Sequence, residues 1–162
     1  MNKEDVRAKF KKIRLIAYDF DGVMTDNCVL VDENGKESVR VNRGDGLAVD
    51  AFKKLNIDQI IISTETNKVV KARAKKLKIP SVSGCANKKN ALEKICAEKG
   101  LKKENVMYVG NDINDLKAME LAGIIACPTD ARDSVKKISD FVIDAKGGEG
   151  VLRKLIDELG IS

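Results

Sequence analysis

The amino-acid sequence predicts an α/β fold, a Rossmann-like three-layer sandwich built on a mostly parallel central sheet. Segments with strand and helix patterns alternate along the chain, as is typical of βαβ units. The strongest strand segments are nearly continuous apolar runs, as expected of strands buried on both faces. No repeat, linker or low-complexity stretch interrupts the 162 residues, so we expect a single domain, residues 1–162, without an inserted cap domain.

The first predicted elements surround an acidic loop. Residues 3–12 have a helical pattern, and residues 13–19 form a short, mostly apolar run that ends on an acid. Two β-prone runs then flank Asn34-Gly35, the strongest short-range hairpin signal. We therefore expect a β-hairpin flap over residues 28–41, beside the acidic loop.

The rest of the chain continues the alternation. A loop and helix over residues 42–56 are expected to place Leu47, Phe52 and Leu55 in the core. Gly100 is a typical helix terminator. The other predicted elements are strands at 57–64, 81–83, 105–112, 124–128 and 140–144, and helices at 66–79, 87–100, 115–123, 130–138 and 147–160.

The composition is that of a soluble globular protein, with 43% hydrophobic and 34% charged residues. No apolar run approaches the ~20 residues that a membrane span requires, and the charged N-terminal segment lacks the apolar core of a signal peptide. These features predict a cytoplasmic protein that does not associate with a membrane.

Cysteine and histidine usage narrows the possible chemistry. The four cysteines are far apart and form no CxxC pair, so we expect buried free thiols rather than a zinc site or a disulfide framework. The chain contains no histidine, which excludes Ser-His-Asp hydrolysis and histidine-ligated zinc. Any acid–base work therefore falls to carboxylates.

The net charge is +5, from 30 Lys and Arg against 25 Asp and Glu. The basic residues are spread along amphipathic helices, aromatic residues make up only 4% of the chain, and no base-stacking or groove-reading motif is present. We therefore expect a solvated, Lys-rich surface rather than a nucleic-acid partner. The same charge could help to attract an anionic substrate.

Polar side chains follow the ends of three predicted strands. Asp19 and Asp21 follow the first strand, and an extended chain would place them on the same side, roughly 7 Å apart. Because ligands bind outside the carboxyl ends of strands in open parallel sheets, we expect these groups to converge on one pocket. Each is an ordinary turn, cap or surface residue when taken alone. The other members of this set are Ser63 and Thr64 after the second strand and Asn111, Asp112 and Asp115 after the third, together with Lys88, which begins the helix before the third strand.

The chemistry that fits this set is phosphoryl transfer. A carboxylate can attack phosphorus to form an aspartyl-phosphate, but two anions repel each other unless a hard cation bridges them. Mg²⁺ takes one or two carboxylates together with phosphate and water oxygens. Asp19 and Asp112 are the natural ligands for it in this sequence.

The segment DFDGVMTD, residues 19–26, resembles the first motif of the haloacid dehalogenase-like phosphatases. The resemblance implies that Asp19 is the nucleophile and a magnesium ligand. It also implies that Asp21 protonates the leaving alcohol and then activates water, with its backbone carbonyl on the metal.

The later motifs of that family also have counterparts here. The resemblance makes Ser63 the phosphate-binding hydroxyl, Lys88 the third-motif cation and Asp112 the fourth-motif metal ligand. Asp115 matches a further acid, which we expect to support the metal shell or to orient Lys88.

The small size, the hairpin and the segments GNDINDLKAM and GGEGVLRKLI resemble a capless subgroup of this family. That subgroup dephosphorylates 3-deoxy-2-ulosonic acid phosphates with eight carbons (3-deoxy-manno-octulosonate 8-phosphate, KDO 8-phosphate) or nine (ketodeoxynononate, KDN, or acylneuraminate 9-phosphate). Its hairpins assemble four subunits, and a neighbouring subunit covers each pocket. The resemblance thus implies a homotetramer, and a capless site does need something to exclude water.

Two positions depart from the octulosonate type, which usually has Gly-Arg after the second-motif hydroxyl and an Arg in a terminal GGRG. Here Thr64-Glu65 and Glu149 stand instead, and such a charge reversal should weaken recognition of a substrate carboxylate. These two glutamates, together with Arg73 and Lys76 along the next helix, resemble the residues found in the nine-carbon branch.

The sequence therefore favours a 9-phosphate substrate, with KDO 8-phosphate as the alternative. The predicted substrate-binding residues are Thr64, Glu65, Arg73 and Lys76. Explanations that do not involve the substrate remain open for these residues. Glu65 could simply stabilise a helix N-terminus, and Arg73 and Lys76 could be solvated surface residues.

Two other classes share parts of the pattern. A receiver domain of a signalling relay also combines acids, Ser/Thr, Lys and Mg²⁺, but it has adjacent acids at the first strand. A non-catalytic assembly domain, as in animal CMP-sialate synthetases, has an altered first acid. Because Asp19 and Asp21 are both present with a glycine after them, the sequence favours a phosphatase over either class.

Overall fold

The computed structural model describes residues 3–161. Their centre is a six-stranded sheet in the order β5-β4-β1-β6-β7-β8, in which every neighbouring pair is parallel. The sheet strands are β1 (Leu15–Tyr18), β4 (Asp58–Ile62), β5 (Ser81–Val82), β6 (Val106–Val109), β7 (Ile124–Pro128) and β8 (Phe141–Ile143), and the hairpin strands are β2 (Leu30–Val31) and β3 (Glu37–Ser38).

Seven helices connect or flank the strands within the described part of the chain. Their bounds are α1 (Lys3–Phe10), α2 (Gly44–Lys54), α3 (Lys68–Leu77), α4 (Lys88–Lys99), α5 (Leu116–Met119), α6 (Asp133–Ile138) and α7 (Val151–Leu159). A 3₁₀ turn at Lys103–Asn105 leads into β6. The α/β sandwich predicted from the alternation is therefore confirmed.

The side chains of each strand alternate between two cores. In β1, Ile16 and Tyr18 face the core shared with α1, α2, α3 and α7, whereas Leu15 and Ala17 face the core shared with α4, α5 and α6. All four residues are at most 1% exposed. Because β1 is buried on both faces at the middle of the sheet, it can carry polar groups at a surface only at its ends, and Asp19 directly follows its carboxyl end.

Capping residues fix the ends of the two helices that matter most for the site. Asn67 and Asn87 precede α3 and α4, and each side chain accepts a hydrogen bond from a backbone amide of the first turn. Lys78 and Gly100 follow these helices in the left-handed conformation, as expected at helix ends. The predicted terminator at Gly100 is thus confirmed.

The predicted core face of α2 was partly wrong. Phe52 is fully buried, but Leu47 and Leu55 are 67% and 49% exposed. Ala48 and Val49 are buried with Phe52, and this side of the helix packs on the sheet. Leu47 lies outside that side, and Leu55 comes after the last helical turn, where the chain leaves the helix.

The thiols are free, but only Cys127 is buried. Cys28 is exposed in the segment before the hairpin, and Cys85 and Cys96 are half-buried. The expectation of buried thiols was therefore wrong for Cys28, because the short hairpin packs too little surface to cover the chain that leads into it.

The hairpin is short and stands away from the core. The side chain of Asp32 accepts hydrogen bonds from the backbone amides of Asn34 and Lys36, which closes the turn around the predicted Asn34-Gly35 pair. Only two residues pair in each strand. Among residues 3–161, no helix combines the length and apolarity that a membrane span requires.

Candidate active site

A cleft of about 710 Å³ opens at the carboxyl edge of the sheet, between the hairpin and the loops that follow β1, β4 and β6. This is the place where the parallel topology brings the polar strand ends together. The lining residues are Asp19, Asp21, Asn27, Val29, Glu37, Val39, Ser63, Thr64, Glu65, Asn67, Val69, Asn111, Asp112, Ile113, Asn114 and Arg132.

Asp19 lies at the floor of the cleft, directly after β1. Its backbone amide continues the sheet by donating to the carbonyl of Val109 at 2.9 Å. Its Oδ1 accepts from the Phe20 amide at 2.7 Å and lies 2.6 Å from Lys88 Nζ. Burial and then the charge of Asp115 raise the pKa of Asp19 to about 7, against the lowering effect of Lys88. The carboxylate is thus held in place, and burial makes its charged form costly even beside Lys88.

Asp21 points into the same cleft from the loop after β1. Thr25 Oγ1 donates to Asp21 Oδ1 at 3.0 Å and accepts from the amides of Gly22 and Asn27. Burial raises the pKa of Asp21, against the lowering effect of that hydrogen bond from Thr25. A raised carboxyl pKa suits a group that must first give and then take a proton near neutral pH.

Gly22 allows this loop to turn against the loop that follows β6. Its φ is +81°, and a Cβ atom there would overlap the side chain of Asn111. On the other side, a Cβ atom at Gly147 would lie 2.5 Å from the carbonyl oxygen of Gly22. Gly147 and Gly148 of the terminal GGEG segment therefore pack directly against the acidic loop.

Ser63 follows β4 and is only 1% exposed. Its amide donates to the carbonyl of Val82 at 2.9 Å, and its Oγ accepts from the Glu65 amide at 3.0 Å. The hydroxyl hydrogen remains available to donate to a bound anion. Thr64 and Glu65 are exposed on the wall of the cleft.

Lys88 begins α4 and is buried beneath the cleft at 2% exposure. Its Nζ lies 2.6 Å from Asp19 Oδ1 and 2.8 Å from Asp115 Oδ1. Burial alone would lower the pKa of Lys88, but Asp19 and Asp115 outweigh it and hold the pKa above the usual value. Lys88 is therefore a fixed positive charge next to Asp19.

Asp115 is fully buried and accepts four hydrogen bonds. Oδ1 accepts from Lys88 Nζ and from Tyr108 Oη at 2.9 Å, and Oδ2 accepts from the amides of Asn111 and Asp112. These contacts place Asp115 between the lysine and the loop after β6. It orients both of them without reaching the cleft.

Asp112 lies at the cleft in that loop, half-exposed. Its Oδ1 accepts from the Ile113 amide at 2.7 Å, and its Oδ2 lies 3.5 Å from Arg132 Nε. Asn111 is 8% exposed, and its Oδ1 is buried without a hydrogen-bond partner among the described residues. An orphaned amide oxygen of this kind is costly unless a ligand satisfies it.

The oxygen atoms at this point suit Mg²⁺, a hard cation that prefers oxygen donors. Within residues 3–161, no three Asp, Glu, Cys or His side chains form a metal site by themselves. The expected set contains only two carboxylates, those of Asp19 and Asp112, because Mg²⁺ keeps waters and substrate oxygens. The unsatisfied Oδ1 of Asn111 on the same wall of the cleft fits this set.

Besides Lys88 and Asp115, which lie beneath the cleft, three residues discussed from the sequence do not line it. Arg73 and Lys76 lie along α3, where they line a separate depression with Arg43 and Leu47. Arg73 Nη2 donates to the carbonyl of Asn42 at 2.8 Å, which directs the side chain towards α2. Glu149 is exposed outside the cleft lining. Within one chain, the structure thus brings only Thr64 and Glu65 of the predicted substrate-binding residues to the site.

The structure adds four residues that the sequence did not single out: Tyr108, Arg132, Glu37 and Asn67. Tyr108 was hidden in an apolar strand run, although a buried tyrosine hydroxyl generally needs a partner. Asn67 Nδ2 donates to Glu37 Oε2 at 2.6 Å, which joins the hairpin to the start of α3. No local signal marks Glu37 or Arg132, because both reach the cleft only through the folding of distant segments.

The profile of the haloacid dehalogenase-like hydrolases matches residues 50–155. The chain belongs to this family. The 3-deoxy-D-manno-octulosonate 8-phosphate phosphatase KdsC of Escherichia coli (strain B / BL21-DE3) is 33% identical over 156 residues, which cover 96% of this chain and 83% of the relative. The predicted family resemblance and the prediction of a phosphatase are thereby confirmed.

Solved structures give the same result. The 3-deoxy-D-manno-octulosonate 8-phosphate phosphatase of Moraxella catarrhalis, solved with magnesium, phosphate and a KDO molecule, superposes with a TM-score of 0.92 at 28% identity, covering 98% of this chain and 91% of that one. A putative haloacid dehalogenase family hydrolase of Streptomyces avermitilis is 42% identical with a TM-score of 0.89, covering 92% and 86%. The magnesium in the Moraxella structure agrees with the cofactor predicted from the sequence.

Proposed function

We propose that this chain is a Mg²⁺-dependent phosphomonoester hydrolase for a 3-deoxy-2-keto sugar acid phosphate. The observation that carries the proposal is the buried carboxylate of Asp19 at the floor of the cleft, 2.6 Å from Lys88 Nζ, with Asp21 two residues further on. A nucleophile, a fixed cation and a proton donor are then within one cleft, as hydrolysis through an aspartyl-phosphate requires.

In the first step, Asp19 attacks phosphorus and the bond from phosphorus to the ester oxygen breaks. Asp19 Oδ1 accepts the hydrogen bonds from Phe20 and Lys88, which leaves Oδ2 as the attacking atom. Asp21 gives its proton to the departing alcohol oxygen, so that the alcohol leaves neutral.

In the second step, the ionised Asp21 takes a proton from water. The resulting hydroxide attacks phosphorus, releases inorganic phosphate and regenerates Asp19. Ser63 and Lys88 hold the phosphoryl oxygens throughout. Bound by Asp19, Asp112 and the backbone carbonyl of Asp21, Mg²⁺ would neutralise the charge that accumulates between phosphate and carboxylates.

KDO 8-phosphate is the first candidate substrate, because the named phosphatase relatives act on it. This reverses the preference for nine carbons that the sequence pattern indicated, since none of the relatives named above is described as a nine-carbon phosphatase. KDN or N-acylneuraminate 9-phosphate remains the second candidate, because Glu65 lines the cleft where the octulosonate type usually has an arginine. A cytoplasmic location stays a prediction.

The substrate is tested by measuring kcat/KM for KDO 8-phosphate, KDN 9-phosphate and glucose 6-phosphate, with Mg²⁺ and with EDTA. We expect a sugar acid phosphate to be preferred and EDTA to abolish phosphate release. Equal rates on all three compounds would contradict a dedicated sugar acid phosphatase.

The roles of the two acids are tested with Asp19→Asn and Asp21→Asn. We expect each to reduce phosphate release by at least about 10³-fold with an unchanged circular dichroism spectrum. Asp58→Asn is the control, because Asp58 is exposed at the opposite end of β4 and paired with Lys99. Full activity of Asp19→Asn would refute the nucleophile, and a phosphoryl-aspartate that persists for minutes would favour a receiver domain instead.

A further inference from the structure

The wall of the cleft carries an excess of negative charge. Five carboxylates line it, from Asp19, Asp21, Glu37, Glu65 and Asp112. Among residues 3–161, Arg132 is the one Lys or Arg side chain on this wall. Lys88 lies beneath the wall, where Asp19 and Asp115 already surround its ammonium group.

A sugar acid phosphate brings two anionic groups into this cleft, the phosphate and the carboxylate. Lys88, Ser63 and the metal account for the phosphate in the proposed mechanism. The carboxylate needs its own cation, because burying an unpaired charge among five acids is unfavourable. An arginine suits this task, since its planar guanidinium can form two parallel hydrogen bonds to a carboxylate.

The backbone of Arg132 is fixed while its side chain extends into solvent. Its amide donates to the carbonyl of Asn111 at 2.9 Å, which attaches the residue to the loop of Asp112. Ala131 and Val135 on either side of it are buried. The side chain itself is 72% exposed, so the guanidinium can reorient within the cleft without disturbing the core.

The contact between Arg132 and Asp112 does not occupy the guanidinium fully. The separation of Nε and Asp112 Oδ2 is 3.5 Å, and both side chains are partly exposed. Exposed ion pairs of this kind contribute little stability. The two terminal nitrogens of the guanidinium can therefore bind a second carboxylate.

The other basic side chains near the site are directed elsewhere. Arg40 Nη2 lies 3.0 Å from Asp26 Oδ2 on the hairpin side, outside the cleft lining. Arg73 and Lys76 line the separate depression on α3. Among residues 3–161, Arg132 is thus the only Lys or Arg that lines the cleft itself.

We propose that Arg132 is a specificity-determining residue that binds the carboxylate of the substrate. This inference rests on the proposed function, because it assumes a carboxylated phosphomonoester. It assigns the role to a residue between β7 and α6, far in sequence from the Thr64-Glu65 pair at which the octulosonate type usually has an arginine.

The test compares wild type, Arg132→Gln and Arg132→Lys on two pairs of substrates. The first pair is KDO 8-phosphate and p-nitrophenyl phosphate, and the second is 3-phosphoglycerate and glycerol 3-phosphate, which differ by a carboxylate. Arg153→Gln is the matched control, because Arg153 is also an exposed arginine paired with a carboxylate, Asp157, but lies on α7.

We expect Arg132→Gln to raise KM for the two carboxylated substrates about 10- to 100-fold, as loss of a charge-assisted hydrogen bond does. The kcat values, and kcat/KM for the two substrates without a carboxylate, should change less than about twofold. For Arg132→Lys we expect KM values between those of wild type and Arg132→Gln, because lysine keeps the positive charge but cannot form two parallel hydrogen bonds to a carboxylate.

Three results would overturn the inference. An equal loss on all four substrates would mean that Arg132 acts on the phosphate or supports the metal site. An unchanged KM for both carboxylated substrates would mean that another group binds the carboxylate. The inference would also be rejected if the wild-type KM were no lower for the carboxylated member of either pair than for the member without a carboxylate.

The proposed function fails separately, if wild-type enzyme does not prefer KDO 8-phosphate or KDN 9-phosphate over other phosphomonoesters. The pair 3-phosphoglycerate and glycerol 3-phosphate still tests Arg132 in that case.

Discussion

Asp115 shows how much of the site depends on a residue that does not touch the substrate. Its four hydrogen bonds fix the position of Lys88 on one side and the amides of Asn111 and Asp112 on the other. The sequence predicted such a supporting acid from the family motif. It could not predict Tyr108, which donates the fourth bond, because the strand pattern marks that residue only as part of the core.

Asp45 is a second fully buried acid, outside the cleft. Its Oδ1 accepts from the amides of Leu152 and Arg153 at 3.0 and 3.2 Å, so it holds the start of α7 against α2. Its Oδ2 has no hydrogen-bond partner among the described residues. Burial, opposed by these two hydrogen bonds and by Arg73, raises the pKa of Asp45 from 3.8 to about 6.

The raised pKa predicts a pH-dependent contribution to stability. Between pH 4 and pH 6 the folded state binds more protons at Asp45 than the unfolded state, so the contribution of this group to the free energy of unfolding falls as pH rises. The loss is complete above the folded pKa and amounts to about 3 kcal/mol. In Asp45→Asn this dependence disappears, while the side-chain oxygen can still accept both amides.

We therefore expect the stability of Asp45→Asn relative to wild type to increase by up to about 3 kcal/mol between pH 4 and pH 7. Urea denaturation of the metal-free proteins at both pH values measures it. The contributions of the other titrating groups, including Asp19, to the free energy of unfolding cancel when the two proteins are compared. A difference that does not change with pH would show that Asp45 titrates as it does in the unfolded chain.

The hairpin contributes directly to the cleft. It forms one wall through Val29, Glu37 and Val39. The bond from Asn67 Nδ2 to Glu37 Oε2 joins β3 to the first turn of α3, just after Ser63 and Glu65. The sequence predicted the hairpin from its turn residues, but not this cross-link, which spans 30 positions.

The cross-link can be tested by exchanging donor and acceptor. Asn67→Asp keeps the oxygen that caps α3 but places a second carboxylate against Glu37. We expect faster hydrogen–deuterium exchange in residues 28–39 and a lower kcat/KM. Adding Glu37→Gln restores a donor and should recover most of the protection, because the glutamine amide can donate to the carboxylate that replaces the Asn67 amide.

Glu33→Gln is the control for that experiment, since Glu33 is exposed in the hairpin turn. If the double substitution were as mobile as Asn67→Asp alone, the hydrogen bond would not be what holds the hairpin. The double-mutant cycle gives the coupling between the two positions.

At the scale of the whole molecule, the acidic lining of the cleft contrasts with the positive net charge of the chain. The chain carries +5 overall, yet five carboxylates and a single arginine line the cleft among residues 3–161. The basic side chains lie elsewhere, many of them on the exposed faces of α3 and α4. We therefore expect local charge at the site, rather than net charge, to govern which substrates bind.

The hairpin also exposes apolar side chains that one chain leaves uncovered. Val29, Leu30 and Val31 are 51%, 78% and 60% exposed. A contiguous apolar surface of this kind is typical of an interaction site, and the homotetramer implied by the family resemblance would use it. The oligomeric state remains a prediction.

Leu30→Glu tests that prediction. A charge at this position should be unfavourable in an apolar interface, so we expect the assembly to dissociate to smaller species in light scattering, with reduced activity. Lys36→Glu, at the exposed hairpin turn, is the control for a charge change on the same hairpin. A wild-type protein that is monomeric at assay concentration would contradict the predicted tetramer.

The sequence by itself determined the α/β alternation, the hairpin turn and the polar residues at the strand ends. These features are local, because a strand, a turn or a cap is set by a few neighbouring residues. The DFDGVMTD segment, Ser63, Lys88 and Asp112 could therefore be singled out before any distance was known.

Only the tertiary structure decided which side chains share the cleft. Periodicity predicts that Leu47 and Leu55 lie in the core, but the packing of α2 on the sheet leaves them exposed. The sequence predicts that Arg73 and Lys76 bind the substrate, but on α3 they line a separate depression, whereas Arg132, between β7 and α6, lines the cleft. The direction of a side chain depends on how whole elements pack, and short-range sequence patterns do not contain that information.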